Sequence, residues 1–154
     1  PQFLIIIINL KFKAMNFFEN LFTKATPKKH TIFIVEDNET YANLLENFLL
    51  FHFPEIHTIK KFTSGEACLK ELHQKPTVII MDHLLNKNKS GAATGLTITK
   101  KMKTINPNLN IILLSAQTEI EVVSKTITKY GAIYIPKNDE AFNKIEEQIK
   151  QFVR

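Results

Sequence analysis

The sequence predicts a single α/β domain, in which a five-stranded parallel sheet is covered by helices on both faces. Short apolar runs suited to buried strands alternate with stretches of helical spacing, and this pattern recurs five times between residues 31 and 152. Such alternation favours a parallel sheet, because each helix carries the chain back to the edge where the next strand begins. With 154 residues, the chain has room for one domain of this kind and can bury a sufficient core without a disulfide or a metal.

The first strand–helix unit begins at Thr31. Residues 32–35 form a short apolar run, which is typical of a strand buried on both faces. Asn38 is suited to cap the helix that follows, and Pro54 ends this helix. The apolar positions that recur at helical spacing are Tyr41, Leu44, Leu45, Phe48 and Leu49.

The second unit is a weaker strand over residues 56–62 and a helix that begins at Ser64. The apolar positions of this helix are Cys68, Leu69 and Leu72. The third unit begins with a buried strand over 77–81, and a long polar loop, 83–94, leads to a helix over 95–104.

The last two units follow a turn at residues 106–108. Residues 110–114 read as the fourth strand, and Thr118 and Glu121 form a capping box for the next helix, which Gly131 ends. The fifth strand is predicted over residues 132–135. The apolar stripe of the last helix consists of Phe142, Ile145, Ile149 and Phe152.

The positive charge of the chain lies mainly near its beginning. Of the net charge of +5, residues 1–29 contribute +4, from five lysines and one glutamate, and the remainder has 15 basic and 14 acidic residues. Binding to nucleic-acid phosphates requires a concentrated basic face, so we expect no nucleic-acid partner. Cys68 is the single cysteine, which excludes an intramolecular disulfide and fits a reducing compartment, so we expect a cytoplasmic protein.

The apolar run at residues 3–8 does not predict a membrane anchor. It is far shorter than the ~20 residues needed to span a bilayer, and no basic residue precedes it as in a secretory signal peptide. The chain begins with Pro1, and Met15 follows. One hypothesis is therefore that residues 1–14 are not native and that Met15 is the natural start.

The rest of this leader, residues 15–29, divides into two parts. Residues 15–24 have the spacing of a short amphipathic helix, and residues 25–29 read as a linker. The plainer interpretation is that this helix packs on its own domain or on a neighbouring copy. The alternative is that it binds a membrane surface.

Polar residues that can carry out chemistry follow four of the five predicted strands. They are Glu36 and Asp37 after the first strand, Asp82 after the third, Ser115 after the fourth and Lys137 after the fifth. Each of them alone is commonplace at a strand end. Because the carboxyl ends of parallel strands meet at one edge of the sheet, where such folds bind ligands, we expect the five side chains to converge.

This set of side chains is suited to binding and transferring a phosphoryl group. Three clustered carboxylates repel one another unless a cation lies among them, and hard oxygen ligands favour Mg²⁺. A carboxylate needs no base to act as a nucleophile, so Asp82 can form an acyl phosphate. The metal, Lys137 and the Ser115 hydroxyl would then stabilise the charge that develops on the phosphoryl oxygens.

Four segments of the sequence together resemble the receiver domain of bacterial two-component response regulators. They are residues 32–38, 79–82, 113–116 and 130–137, and the resemblance extends over about 30–153. It implies a (βα)5 flavodoxin-like receiver fold with strand order 2-1-3-4-5, occupying residues 30–154. The chain is similar to chemotaxis-type receivers that consist of this domain alone.

The resemblance also implies a role for each site residue. Asp82 corresponds to the phospho-acceptor and Lys137 to the invariant lysine of the family. Glu36 and Asp37 correspond to the acidic pair that binds Mg²⁺ together with Asp82 and the backbone carbonyl of Leu84. Ser115 and Tyr134 correspond to the switch hydroxyl and the switch aromatic residue. The phosphodonor would be a sensor histidine kinase or a phosphotransfer protein.

Three features depart from the family pattern. The loop 83–94 is longer than usual, similar to the longer-loop receivers found in some Bacteroidetes, and this leaves its role open. Asn138 replaces the usual proline after Lys137, so we expect a trans peptide bond there. Leu84 and Gln117 are the residues that flank the path of a hydrolytic water, and the apolar Leu84 predicts slow self-dephosphorylation.

The resemblance implies signalling through protein contacts rather than an enzyme that acts on other substrates. An unknown effector would bind the face formed by the family's helix 4, strand 5 and helix 5, here about 118–152, and homodimerisation stays open. One alternative is a receiver-like interaction module that is not phosphorylated, although the complete site argues against it. A phosphatase would need an acid at Leu84, and a flavin carrier would need a hydroxyl-rich first loop in place of Glu36 and Asp37.

Overall fold

The computed structural model describes residues 11–15, 29–85, 93–116, 128 and 130–153. Five strands form one parallel sheet in the order β2-β1-β3-β4-β5, which confirms the predicted fold class and strand order. The strands are β1 (His30–Val35), β2 (Ile56–Phe62), β3 (Val78–Asp82), β4 (Ile111–Ser115) and β5 (Ile133–Pro136).

Four helices are described in full around this sheet. They are α1 (Glu39–His52), α2 (Gly65–Lys70), α3 (Gly95–Ile105) and α4 (Ala141–Phe152). The helix predicted after Thr118 falls on residues outside the described ranges, except that Thr128 and Tyr130 are helical. The last helix, α4, is therefore the fifth helix of the predicted pattern.

The first two helices are capped by the polar residues that precede them in the sequence. The Asn38 side chain accepts a hydrogen bond from the backbone N–H of Tyr41 at 3.0 Å, and Ser64 caps α2 in the same way through Ala67. Gly131 has a φ of +66°, the left-handed conformation that favours glycine at the end of a helix. The α2 helix is shorter than predicted, because the chain tightens into a 3₁₀ turn at Leu72–Gln74.

Alternate residues along the strands supply two separate apolar cores. Ile32, Ile80 and Leu114 face the first core, which α1 and α4 cover. Phe33 and Met81 face the opposite core, which α2 and α3 cover. This is the two-faced burial expected of strands that read as continuous apolar runs.

The structure describes only a small part of the leader. Residues 11–15 are helical and exposed, and the helix predicted over 15–24 lies almost wholly outside the described residues, as does most of the linker at 25–29. No described helix combines the length and apolar character needed to cross a membrane.

Candidate functional site

The strand order places the acidic residues beside one another at the point where the sheet reverses direction. From β1 the chain moves to one edge through β2 and then back past β1 to β3, so a crevice opens above the carboxyl ends of β1 and β3. Glu36 and Asp37 directly follow β1, and Asp82 is the last residue of β3. The convergence expected from the sequence is therefore found for these three carboxylates.

One difference from the sequence prediction concerns where the strands end. Asp82 and Ser115 were expected to follow their strands, but each is the final paired residue, opposite Leu114 and Pro136 respectively. Because ladder pairing continues to the site residues themselves, their backbones are held by the sheet and not by a loop. Ser115 is buried at this edge, and its carbonyl accepts a hydrogen bond from the Lys137 backbone N–H at 2.8 Å.

The three carboxylates form a group that fits one hard cation. One oxygen each from Glu36, Asp37 and Asp82 lies within 4.8 Å of the others. Oxygen ligands on opposite sides of Mg²⁺ are separated by ~4.2 Å, so small side-chain rotations would close the group around the ion. Asp37 is exposed and gives access from solvent, whereas Glu36 and Asp82 are buried. Neither His83 nor Cys68 belongs to this group.

Lys137 joins two of these carboxylates. Its Nζ lies 2.6 Å from Glu36 Oε2 and 2.9 Å from Asp82 Oδ1. The side chains of Lys137, Glu36 and Asp82 are only 17%, 4% and 7% exposed, so water competes weakly for these contacts. The ammonium group thus lies beside the Asp82 carboxylate, where it can stabilise added negative charge.

Burial and charge shift the pKa values of this pair. Burial raises the pKa of Glu36 above its usual 4.5, and the hydrogen bond and charge of Lys137 offset this only in part. For Lys137, burial acts to lower the pKa, but the hydrogen bonds and charges of Glu36 and Asp82 outweigh it and raise the pKa. The site therefore holds an ammonium whose charge its neighbours favour and a carboxylate whose charge burial disfavours.

Backbone contacts attach helix α3 to the end of β3. The His83 N–H donates to the Leu114 carbonyl at 2.7 Å, and the His83 carbonyl accepts from the Gly95 N–H at 2.8 Å. A Cβ at Gly95 would lie 2.1 Å from the Asp82 carbonyl oxygen, so only glycine allows this approach. The sequence analysis placed Gly95 at the start of a helix but missed this contact. The sequence feature that pointed to this contact was a glycine at the first helical position after the loop 83–94.

The remaining predicted residues surround this centre. Tyr134 is half-buried on β5 and packs against the core that contains Phe33 and Met81. Leu84 is half-buried, directly after the acceptor segment. The described residues contain no cis peptide bond, so Lys137–Asn138 is trans as expected. Gln117 and most of the loop 83–94, from residue 86 to 92, lie outside the described residues.

Tyr41 is a neighbour of the site that the sequence analysis treated only as a position on the apolar stripe of α1. Its ring lies under the Lys137 ammonium, with Nζ 4.5 Å from the ring centroid. The sequence signal was available in retrospect, since a residue on the first turn of α1 starts from the same edge as Glu36 and Asp37.

Known proteins share this architecture. One curated relative, the probable transcriptional regulatory protein TcrX of Mycobacterium tuberculosis, is 26% identical over 107 residues, which are 70% of this chain and 43% of the relative. The chain thus spans less than half the length of that protein. A CheY-like receiver domain protein from Methanospirillum hungatei has a similar structure, with a TM-score of 0.67 and 18% identity over 82% of this chain and 94% of that one.

The phosphorylated cyanobacterial phytochrome response regulator RcpA is also similar, with a TM-score of 0.69 and 18% identity over 82% of this chain and 95% of that one. At these identities, the two structures support the fold alone. A family model for the response regulator receiver domain matches residues 32–150, which is most of the chain. Together with the five-stranded parallel sheet, this match shows that the chain belongs to the response regulator receiver domain family.

Proposed function

We propose that this protein is a phosphorylation-dependent switch of a two-component or phosphorelay system, and that it accepts a phosphoryl group on Asp82. Its family is a signalling domain of response regulators and not a classical enzyme. The observation that carries the proposal is the contact of Lys137 Nζ with both Asp82 and Glu36, inside a group of three carboxylates. A nucleophile, a fixed positive charge and a divalent-cation site are thereby brought together.

The reaction requires little of the protein beyond positioning. A carboxylate oxygen of Asp82 attacks the phosphorus of a phosphohistidine, the P–N bond breaks as the P–O bond forms, and the departing imidazole takes a proton from solvent. Lys137 Nζ lies 2.9 Å from Asp82 Oδ1, so its positive charge offsets the negative charge of the incoming phosphoryl group. Outside its own aspartyl phosphorylation and dephosphorylation, no further catalytic activity is proposed.

Glu36, Asp37, Asp82 and the Leu84 backbone carbonyl are the proposed ligands of Mg²⁺. A bound Mg²⁺ supplies positive charge to the phosphoryl oxygens. The donor set suits it, because the oxygens are hard and three carboxylates lie close together. Ser115, buried at the end of β4, is proposed to hydrogen-bond the phosphoryl group once it is attached.

Signal output is proposed to follow from a change in the balance of two conformations. Ser115 and the half-buried Tyr134 lie on adjacent strands, β4 and β5, so a movement of the hydroxyl towards Asp82 can alter the space available to the ring. The affected face would be about 118–152, part of which lies outside the described residues. The proposed partners are a histidine kinase or phosphotransfer protein and a protein effector, in the cytoplasm.

Phosphorylation by a small donor tests this proposal. The full chain is incubated with Mg²⁺ and acetyl phosphate, and its intact mass is measured. We expect one added phosphoryl group, which is absent with Asp82→Ala or with excess chelator. A folded wild-type protein that gains no phosphoryl group would support the alternative, a receiver-like interaction module that is not phosphorylated.

A further inference from the structure

Tyr41 is held in a fixed place beside the acidic group. Its backbone N–H is bound by the Asn38 cap on the first turn of α1, and its ring packs on Phe142 of α4, with centroids 5.8 Å apart. Among the described residues, its buried hydroxyl has no hydrogen-bond partner. Burial raises the pKa of this hydroxyl, so the ring stays neutral. The ring, and not the hydroxyl, is therefore the part of Tyr41 with a defined contact to the site.

The Lys137 ammonium has three partners in this arrangement. Two are the carboxylate oxygens of Glu36 and Asp82, and the third is the face of the Tyr41 ring, 4.5 Å from Nζ. This distance is within the ~6 Å over which a ring attracts a cation, and the attraction is stronger where water is largely excluded. Lys137 is mostly buried, so the condition is met.

We propose that Tyr41 is a positioning residue for phosphorylation of Asp82, and that its ring face holds the Lys137 ammonium beside the acceptor when a divalent cation engages the carboxylates. This inference rests on the proposed function. The cation and the ammonium both draw on the carboxylates of Glu36 and Asp82, so a bound cation weakens the hold of these two groups on Lys137. An aromatic face is not a ligand for a hard cation, so it is the one partner of the three that Lys137 keeps.

The ring matters because a lysine side chain is flexible. Ordering its four-carbon stem costs rotamer entropy, and a lysine that is already in place loses less of it in the transition state. Replacing the ring with an aliphatic side chain would leave Lys137 with several orientations once the carboxylates bind the cation. Removing only the hydroxyl would leave the contact intact.

Rates of phosphorylation by acetyl phosphate, measured for Tyr41 variants at saturating Mg²⁺, distinguish the effect of the ring from that of the hydroxyl. We expect Tyr41→Leu to slow the reaction about three- to tenfold and Tyr41→Phe to stay within about twofold of the wild type. Tyr41→Met, which also lacks a ring, is the second variant and is expected to match Tyr41→Leu. The control is Phe48→Leu on the same helix, which loses a ring contact to Phe142 at 5.0 Å and should leave the rate unchanged.

A spectroscopic measurement checks the contact without phosphorylation. The ring current of Tyr41 should shift the Lys137 Hε resonances upfield in the wild type and in Tyr41→Phe, before and after addition of Mg²⁺. The shift should be lost in Tyr41→Leu and kept in Phe48→Leu. Because packing defects alone do not produce this pattern, it separates a positioning role from a merely structural one.

The possible failures are distinguishable. A wild type that reacts, together with folded Tyr41→Leu and Tyr41→Met proteins that react equally fast, would overturn the positioning role alone. Unshifted Lys137 resonances in the Mg²⁺-bound wild type would overturn it as well. A folded wild type that forms no adduct would overturn the proposed function and this inference with it.

Discussion

At the scale of single residues, burial and charge oppose one another at Glu36. Its carboxylate lies within a few ångströms of two other acidic groups and has one ammonium nearby. Since burial raises its pKa, ionised Glu36 makes the folded state less stable than a neutral side chain would. The residue is thus suited to bind a cation at a cost in stability when no cation is bound.

This cost predicts that Glu36→Gln stabilises the protein in the absence of divalent cations. An acid with a raised folded-state pKa contributes stability that is present below its unfolded value of 4.5 and is lost as pH rises through the folded value. We therefore expect Glu36→Gln to increase the free energy of unfolding at pH 7 by about 1 kcal/mol. The difference in the free energy of unfolding between Glu36→Gln and the wild type should be smaller at pH 4, because Glu36 is then largely protonated in the folded protein.

Denaturant unfolding in the presence of a chelator, at both pH values, measures this difference. Glu39→Gln is the control. Because Glu39 is exposed, this substitution should change the free energy of unfolding by no more than about 0.5 kcal/mol. A Glu36→Gln protein less stable than the wild type at pH 7 would contradict the account of this residue.

Leu84 leads to a prediction about the lifetime of the phosphorylated state. The side chain is apolar, two residues after Asp82, and cannot orient a water for attack on the acyl phosphate. We expect slow self-dephosphorylation in the wild type and a severalfold shorter lifetime in Leu84→Asn. Decay of the phosphorylated mass after removal of the donor gives both rates. Equal lifetimes would show that Leu84 does not slow self-dephosphorylation.

At the scale of elements, the strands carry the site and a helix start constrains it. The ends of β3 and β4 are the site residues Asp82 and Ser115, and α3 begins against the backbone of Asp82. Sequence periodicity predicted these elements because strands buried on both faces are apolar throughout. It did not predict the contact of Gly95 or Tyr41 with the site, since periodicity reports which face is buried and not what lies against it.

The close approach at Gly95 predicts a large effect of a single methyl group. In Gly95→Ala the new Cβ would meet backbone atoms, 2.1 Å from the Asp82 carbonyl oxygen and 2.9 Å from His83 Cα, so no side-chain rotation relieves the clash. We expect a loss of about 3 kcal/mol in the free energy of unfolding. The rate of phosphorylation by acetyl phosphate should also fall, because α3 must move away from the acceptor strand.

Gly131→Ala is the matched control for this prediction. Gly131 has a left-handed φ, and among the described residues the nearest atom to its Cβ would be Lys103 Nζ at 3.7 Å, so within this part of the chain the change introduces backbone strain without a clash. It should cost about 1 kcal/mol and leave the phosphorylation rate unchanged. Equal losses of unfolding free energy in Gly95→Ala and Gly131→Ala, with equal phosphorylation rates, would show that α3 does not constrain Asp82.

At the scale of the whole molecule, an apolar core lies on each face of the sheet, while the charged residues lie at the carboxyl ends of the strands. This separation explains why the fold, and the edge of the sheet at which the five candidate site residues lie, could be predicted from the sequence. Apolar runs locate the strands, and the edge at which they end is fixed by parallel topology. The distances among Lys137, Glu36 and Asp82 could not be predicted, because they depend on side-chain orientation at the rim.

The proposed switch requires that one side chain, Asp82, receives the phosphoryl group. Borohydride reduction of the protein treated with acetyl phosphate and Mg²⁺ converts an aspartyl phosphate to homoserine, and peptide mass spectrometry then locates it. We predict homoserine at position 82 and at no other acidic residue, with none in Asp82→Asn. Homoserine formed from Asp37, or a folded wild-type protein with no reduced residue at all, would contradict the proposed phosphorylation of Asp82.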